Sequence, residues 1–249
     1  MPWPLPSAEA ELLRLAKSYP FEAPDASYLF RGGAARPFAQ AAAHGGLFAG
    51  RAPVIAHGSN RAPAQLRRKF GDAAEIPVSR GWLCDYDVVY SAHVTQYGAI
   101  AANLRHAPGA CVEVFVTWLS EAQLARMHET ELGGENYAYG RLERIELALE
   151  AGPAERIAEA CVYLSTRGCL ANGGGPVALA AVAARGRAHG ALHQEEALAL
   201  VRDRHRPDMD LDALILQNIR DRARRRALIA EMGETAIPAA APHFRILDG

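Results

Sequence analysis

Two stretches carry side chains suited to chemistry. Residues 53–60 read PVIAHGSN. Val54, Ile55 and Ala56 form an apolar run suited to a buried strand, and Gly58 permits a backbone geometry that residues with a Cβ avoid. Ser59 and Asn60 fit a helix cap, which predicts a helix over 64–70 with Gly71 as its stop. Such a turn, entered through His57, can aim consecutive backbone N–H groups at an anion or a polarised carbonyl. The plain alternative is an ordinary strand–helix turn, and these residues alone favour it.

The second stretch is His128-Glu129-Thr130-Glu131, followed by GGEN and the aromatics Tyr137 and Tyr139. Two carboxylates two residues apart point to different faces of a helix, so at most one looks inward. A carboxylate partly buried beside aromatic rings has its ionised form disfavoured, which suits acid/base work near neutral pH. For Glu129 a solvated helix end is the better reading. For Glu131 the spacing leaves the choice open.

Other candidates are weaker. His93, with Thr95, Gln96 and Tyr97 after it, could line a pocket mouth but reads better as a satisfied strand-end histidine. The run 172–176 lacks the Lys-Ser/Thr of a phosphate loop and reads as a turn. Arg220, Arg222 and Arg224–Arg226 scatter around a helix without interleaved aromatics, so they read as a solvated face and not as a nucleic-acid surface. The 9 histidines show no HxxxH or other metal spacing, and no metal site is expected.

The elements that must position these residues follow from periodicity. Ser7 can cap a helix to about Ser18, with Leu12, Leu13 and Leu15 as its apolar positions. Residues 19–52, rich in proline and with a small helical piece around 38–43, read as a wrap. Within them 30–33 could cover a site or simply connect. Two β-like runs, IPVS and YDVVYSAH, fall in 76–93 and are separated by 81–85. Residues 110–119, ACVEVFVTWL, are the clearest strand: Val112, Val114, Val116 and Trp118 share one face, Glu113, Phe115 and Thr117 the other. A helix follows over 120–131, with Ser120 and Gln123 at capping-box spacing. After a turn at 133–136, strands are predicted over 139–150, with Ile145, Leu147 and Leu149 facing in, and over 158–165. Helices are predicted over 177–185, 193–205 and 211–232. Strands outnumber helices without alternating regularly with them, so the expected class is mixed α+β or a small barrel, not a doubly wound sheet.

The order of these features resembles the γ-glutamylcyclotransferase family. That family carries Tyr-Gly-Ser followed by Asn, Leu or Met in its first loop, then a strand, then L-D-x-x-E-G and a Tyr a few residues on. Here the corresponding residues are His57-Gly58-Ser59-Asn60, then Met127-His128-Glu129-Thr130-Glu131-Leu132, then Tyr137. The resemblance covers residues 52–166, with 1–51 as an N-terminal extension and 167–249 as a helical C-terminal extension. It implies a mixed β-barrel with flanking helices and a pocket at one mouth. The loop at His57, Gly58, Ser59 and Asn60, with Tyr137, would bind a small γ-glutamyl substrate, and Glu131 matches the family's acid/base glutamate. In the family's reaction the α-amine of a γ-glutamyl group attacks its own γ-carbonyl, giving 5-oxoproline and a released amine. That ring closure benefits from a fixed near-attack geometry and needs no metal or cofactor. The chain departs from the pattern at His57, which replaces Tyr, at His128, which replaces Asp, and at Leu132, which replaces Gly. A module that keeps the barrel but only binds a ligand or partner is the alternative.

Composition bounds the rest. With 249 residues, 50% hydrophobic and 22% charged, the chain has material for a sizeable core, and its formal net charge of −1 exerts no general pull toward nucleic acid or anionic membrane. No apolar run approaches the ~18 residues needed to span a bilayer, and the N-terminus lacks the basic-then-apolar order of a signal peptide. Cys84, Cys111, Cys161 and Cys169 form no CxxC pair, which predicts reduced thiols in a cytoplasmic protein.

Overall fold

Two strands far longer than the sequence pattern predicts organise the chain. The computed structural model describes residues 4–38, 46–134 and 136–247. Its first part runs α1 (Glu9–Lys17), β1 (Tyr28–Arg31), β2 (Ala34–Pro37), β3 (Ala52–Ala56), α2 (Pro63–Phe70), β4 (Ile76–Val94), β5 (Ile100–Leu119), α3 (Glu121–Glu131), β6 (Tyr137–Leu149) and β7 (Arg156–Ser165). Five two-residue strands follow: β8 (Ala171–Asn172), β9 (Gly175–Pro176), β10 (Ala178–Leu179), β11 (Ala184–Arg185) and β12 (Ala191–Leu192). Then come α4 (Gln194–His205), α5 (Leu211–Arg220), α6 (Arg222–Glu234) and β13 (Phe244–Ile246). The helical piece expected around 38–43 and part of the turn expected at 133–136 lie outside the described residues. Among those described, no helix is long and apolar enough to cross a membrane.

β5 pairs with β4 and β3, β3 with β7, β7 with β6, and β6 with β4, so five strands close on themselves. Only the β3–β7 pair in this ring is parallel. The architecture is therefore the expected α+β barrel with flanking helices. Alternation along β5 divides its side chains as predicted. Val112, Val114, Val116 and Trp118 join Ala160, Val162 and Leu164 of β7 in one apolar cluster. Phe115 and Leu119 join Leu66 of α2 and Met127 of α3 in the other. Ser120 caps α3, with the reciprocal Gln123 bond closing a capping box.

Several expectations are corrected. The two β runs of 76–93 are one strand of 19 residues, because Asp85, at φ 61°, forms an irregularity that bends β4 without ending it. The helix expected over 177–185 is absent. Ala178 pairs with Val89, and Ala184 and Arg185 pair with Val112 and Cys111, so pairing to the barrel overrides the helical propensity of an alanine-rich run. The single helix expected over 211–232 breaks at Asp221, whose carboxylate accepts from Ala223 N–H and Arg224 N–H and so caps α6. The C-terminal extension is thus helical only from 194 onward. Within 19–52, β1 and β2 form a hairpin on β4, with Phe30 fully buried, so this segment is part of the sheet. Cys84 and Cys111 face each other across the β4–β5 ladder and form a disulfide, while Cys161 and Cys169 are free and buried. Register brings the first pair together, and register is invisible in the spacing of four distant cysteines.

Candidate active site

The chain leaves β3 at Ala56 and turns through His57 and Gly58 into a short 3₁₀ turn, Ser59–Arg61. Arg61 N–H bonds to Gly58 O at 3.4 Å and Ala62 N–H to Ser59 O at 3.0 Å. Ser59 and Asn60 therefore form a turn of their own and do not cap α2. Its N-cap is Ala62 and its first residue Pro63, which lacks an N–H and is pre-set for the helix start. Gly71 ends α2 at φ 74°, as expected of a glycine stop. Gly58 has φ −115° and ψ −137°, and the space beside it is tightly filled. A Cβ there would collide with the Tyr19 hydroxyl and lie 3.3 Å from Ala102 Cβ. The loop is pressed against a tyrosine from the N-terminal wrap.

Glu131 is the last residue of α3, and its carboxylate meets this loop. Asn60 Nδ2 donates to Glu131 Oε1 at 2.9 Å, and the Lys69 ammonium of α2 bonds to the same oxygen. Lys69 Nζ also lies 3.3 Å from Met127 Sδ, one turn earlier on α3. Among the described residues no hydrogen bond reaches Glu131 Oε2. Burial alone would push this carboxyl up. The charge and hydrogen bond of Lys69, the Asn60 amide and His57 overrule it and hold the pKa below the usual carboxylate value. The choice that spacing left open falls toward the ionised form of this carboxylate. Glu129, by contrast, pairs with Arg126 in solvent, as its position predicted.

The surrounding side chains are aromatic and neutral. His57 is buried, and burial pushes its pKa down to about 4. Among the described residues its Nδ1 has no hydrogen-bond partner, and neither has Asn60 Oδ1. Tyr19 accepts a 2.7 Å hydrogen bond from Ala102 N–H. Tyr97 is buried, and burial, with the charge of Glu131 adding to it, raises its phenol above the ordinary value. Tyr137, half-buried at the start of β6, lies edge-on to His93, with its hydroxyl 3.4 Å from His93 Nε2. Burial, then the nearby Tyr19, Glu131 and Tyr97, raise the Tyr137 phenol well above its ordinary value. His93 is also bonded through Nδ1 to Ser91 Oγ at 2.9 Å, and burial lowers its pKa to about 4. It is a satisfied strand-end histidine.

The fold thus brings Asn60 into contact with Glu131, with His57 and Tyr137 close enough for their titration to be influenced by or to influence its charge. His128, where the resemblance puts Asp, turns to Tyr163 OH at 2.9 Å and the edge of Tyr139. Lys69, Tyr19 and Tyr97 are the members that the sequence reading did not assign to the site. For Lys69 a signal existed: it is one of two lysines in the chain and shares the buried face of α2 with Gln65 and Leu66. Tyr19, between Ser18 and Pro20, offered none. Two clefts open elsewhere, one lined by Arg80, Trp82 and Glu150, the other by Asp85, His106 and Arg144; neither is lined by Glu131 or the 57–60 loop.

No family model matches the sequence, and no curated protein matches it. Among solved structures, a gamma-glutamyl cyclotransferase is similar at 21% identity with a TM-score of 0.38, over 47% of this chain and 67% of that one. A protein from Arabidopsis thaliana, solved in solution, is similar at 15% identity with a TM-score of 0.35, over 47% and 70%. An uncharacterized protein from Homo sapiens is similar at 15% identity with a TM-score of 0.37, over 76% of this chain and 89% of that one.

Proposed function

We propose that this chain is a γ-glutamylcyclotransferase-like enzyme that cyclises a γ-glutamyl group to 5-oxoproline and releases an amine. The observation that carries the reading is the 2.9 Å hydrogen bond from Asn60 to a part-buried Glu131, which joins the 57–60 loop to a carboxylate far along the chain. In the proposed reaction ionised Glu131 takes a proton from the substrate's α-ammonium. The freed amine attacks the γ-carbonyl carbon, forming the ring C–N bond, and the carbonyl oxygen gains negative charge. Backbone N–H groups of the loop, at the start of the 3₁₀ turn and ahead of its first internal bond, stabilise that charge. Glu131 returns the proton to the leaving nitrogen as the old C–N bond breaks. Tyr137 forms part of the apolar wall against the substrate. A carboxylate held ionised suits the first proton transfer, and holding the reacting atoms together supplies much of the remaining acceleration.

One observation favours a second reading. Lys69 already neutralises Glu131, as it would in a barrel that binds a ligand or partner without chemistry. A 5-oxoproline release assay over a panel of γ-glutamyl amines and amino acids separates the two. Release abolished by Glu131→Gln supports the enzyme. Release unchanged by Glu131→Gln removes its assigned role, and no release from any panel member by folded protein supports the binding module.

A further inference from the structure

Four side chains from three strands form a hydrogen-bonded row that ends at Tyr137. Ser91 and His93, two residues apart, share one face of β4. Tyr137 and Ser165 are direct partners across the β6–β7 ladder, so their side chains share a face as well. The row runs from Ser165 Oγ to Ser91 Oγ at 2.6 Å, from Ser91 Oγ to His93 Nδ1 at 2.9 Å, and from His93 Nε2 to Tyr137 Oη at 3.4 Å. At its inner end Ser165 Oγ also accepts Arg167 N–H at 3.2 Å.

The hydrogens of the row fix its direction. Each of the three hydroxyls brings one, and so does the neutral ring of His93, whose pKa burial lowers to about 4. Four hydrogens serve three links, so one is surplus. If Tyr137 donates to Nε2, then Nδ1–H donates to Ser91, and the surplus hydrogen falls on Ser91 or Ser165. Those residues are 0% and 4% exposed, and among the described residues neither hydroxyl meets a further acceptor. A buried donor without an acceptor carries its full desolvation cost. If instead Ser165 donates to Ser91, Ser91 to Nδ1 and Nε2–H to Tyr137 Oη, the surplus hydrogen is that of half-buried Tyr137. Only this direction takes it out of the sealed interior.

We propose that His93 is a positioning residue, which fixes the Tyr137 hydroxyl as a hydrogen-bond donor to an oxygen of the bound ligand. That the ligand is a γ-glutamyl compound, with its carbonyl and carboxylate oxygens as acceptors, rests on the function proposed above. The Tyr137 ring stays part of the apolar wall, and its hydroxyl becomes the one polar point of that residue. Because Oη already accepts from His93, the hydroxyl favours a ligand oxygen over a ligand N–H. The charge of Glu131 and burial both raise the phenol, which keeps that hydrogen in place. His93 itself acts on the ligand only through Tyr137.

The test begins on unaltered protein. ¹⁵N spectra of the histidine rings of the full chain are recorded at neutral pH, with His93 assigned through bonds from its own backbone. A hydrogen on Nε2 and a lone pair on Nδ1 are the expected result; a hydrogen on Nδ1 overturns the proposal. Ser91→Ala removes the donor to Nδ1 and is expected to reduce the Nε2–H form to a mixture, whereas an unchanged ring overturns the row as its cause. The second measurement follows 5-oxoproline release from the γ-glutamyl compound that wild type turns over fastest. Tyr137→Phe is expected to lower kcat/KM about tenfold, the scale of one hydrogen bond, and Ser91→Ala about threefold. The double variant should match Tyr137→Phe, because Ser91 acts only through that hydroxyl. Losses that multiply overturn the positioning role. An Nε2–H ring without release of 5-oxoproline leaves the directed hydroxyl standing and removes the γ-glutamyl reading. Release with the hydrogen on Nδ1 does the reverse. The ring spectrum needs no variant, so a substitution that fails to fold does not decide the outcome.

Discussion

Lys69 and Glu131 form an ion pair that is nearly sealed from solvent, with side chains 4% and 14% exposed. The two come from separate helices, α2 and α3, and the same ammonium rests against Met127. Taking both charges out of water is costly, and their attraction offsets this only while both partners are present. The pair therefore does two things. It ties α2, and with it the 57–60 loop, to the end of α3. It also sets the charge of the carboxylate that faces the loop.

Lys69→Met should be strongly destabilising at pH 7. Removing one partner of a buried pair leaves an uncompensated charge, which costs about 3–5 kcal/mol. The folded pKa of Glu131 is depressed, so its contribution is present above the ordinary carboxylate value of about 4.3 and is lost as pH falls through the folded value. The penalty of Lys69→Met should shrink below about pH 4, and Glu131→Gln in the same background should recover part of it at pH 7. Urea unfolding of the single and double variants at both pH values measures this. A pH-independent penalty, or a double variant as unstable as Lys69→Met, would contradict the account.

Two buried histidines make a second pH prediction. His57 and His93 each fall from an ordinary 6.5 to about 4 because burial disfavours the charged ring. Between those values the unfolded chain binds a proton that the folded chain refuses, so stability rises with pH across this window. Each ring should contribute a loss of about 3 kcal/mol as pH falls from 6.5 to 4, at 1.36 kcal/mol per unit. Replacing His93 with Gln should flatten the curve of urea midpoint against pH over this range. Parallel curves for wild type and variant would show that His93 titrates normally.

What the sequence made legible was local. The alternation of β5, the capping box before α3, the strand and turn at 53–60 and the solvated Glu129 rest on neighbours within a few residues, where pattern and chemistry are read directly. What it hid was register and long-range approach. Ala178 and Ala184 become strand because β4 and β5 offer them partners. Tyr19 reaches Gly58 from an earlier segment, and Lys69 meets Glu131 across two helices. The charge state of Glu131 was left open for the same reason: burial was foreseen, but the approach of the Lys69 cation was not.

The disulfide offers a third test. Cys84 and Cys111 cross-link β4 to β5 over a sequence separation of 27 residues. A loop of this length confines the unfolded chain by roughly 3–4 kcal/mol, less whatever the hairpin retains when unfolded. Non-reducing denaturation followed by alkylation should label Cys161 and Cys169 alone. Reductant should lower the urea midpoint of wild type and leave Cys84→Ser/Cys111→Ser unaffected. Labelling of all four cysteines in non-reduced protein would remove the cross-link from the structure.

The contact between Gly58 and Tyr19 gives the last prediction. The Tyr19 hydroxyl fills the space a side chain at 58 would need, and it accepts the Ala102 N–H at 2.7 Å. Gly58→Ala must displace that hydroxyl, so it should cost the overpacking energy of about 1–3 kcal/mol and break the bond to Ala102. Tyr19→Phe alone leaves the Ala102 N–H buried without a partner, a loss of about 1–3 kcal/mol. In the Gly58→Ala background the bond is already gone and the phenyl ring leaves room for the methyl group, so Tyr19→Phe should add little. The double variant should therefore be more stable than the sum of the singles by at least about 0.5 kcal/mol, the scale at which residues in contact depart from additivity. Urea unfolding of the four proteins at pH 7 measures the coupling. Strict additivity would mean that Gly58 and Tyr19 do not share this space, and the N-terminal wrap would then lose its place against the loop.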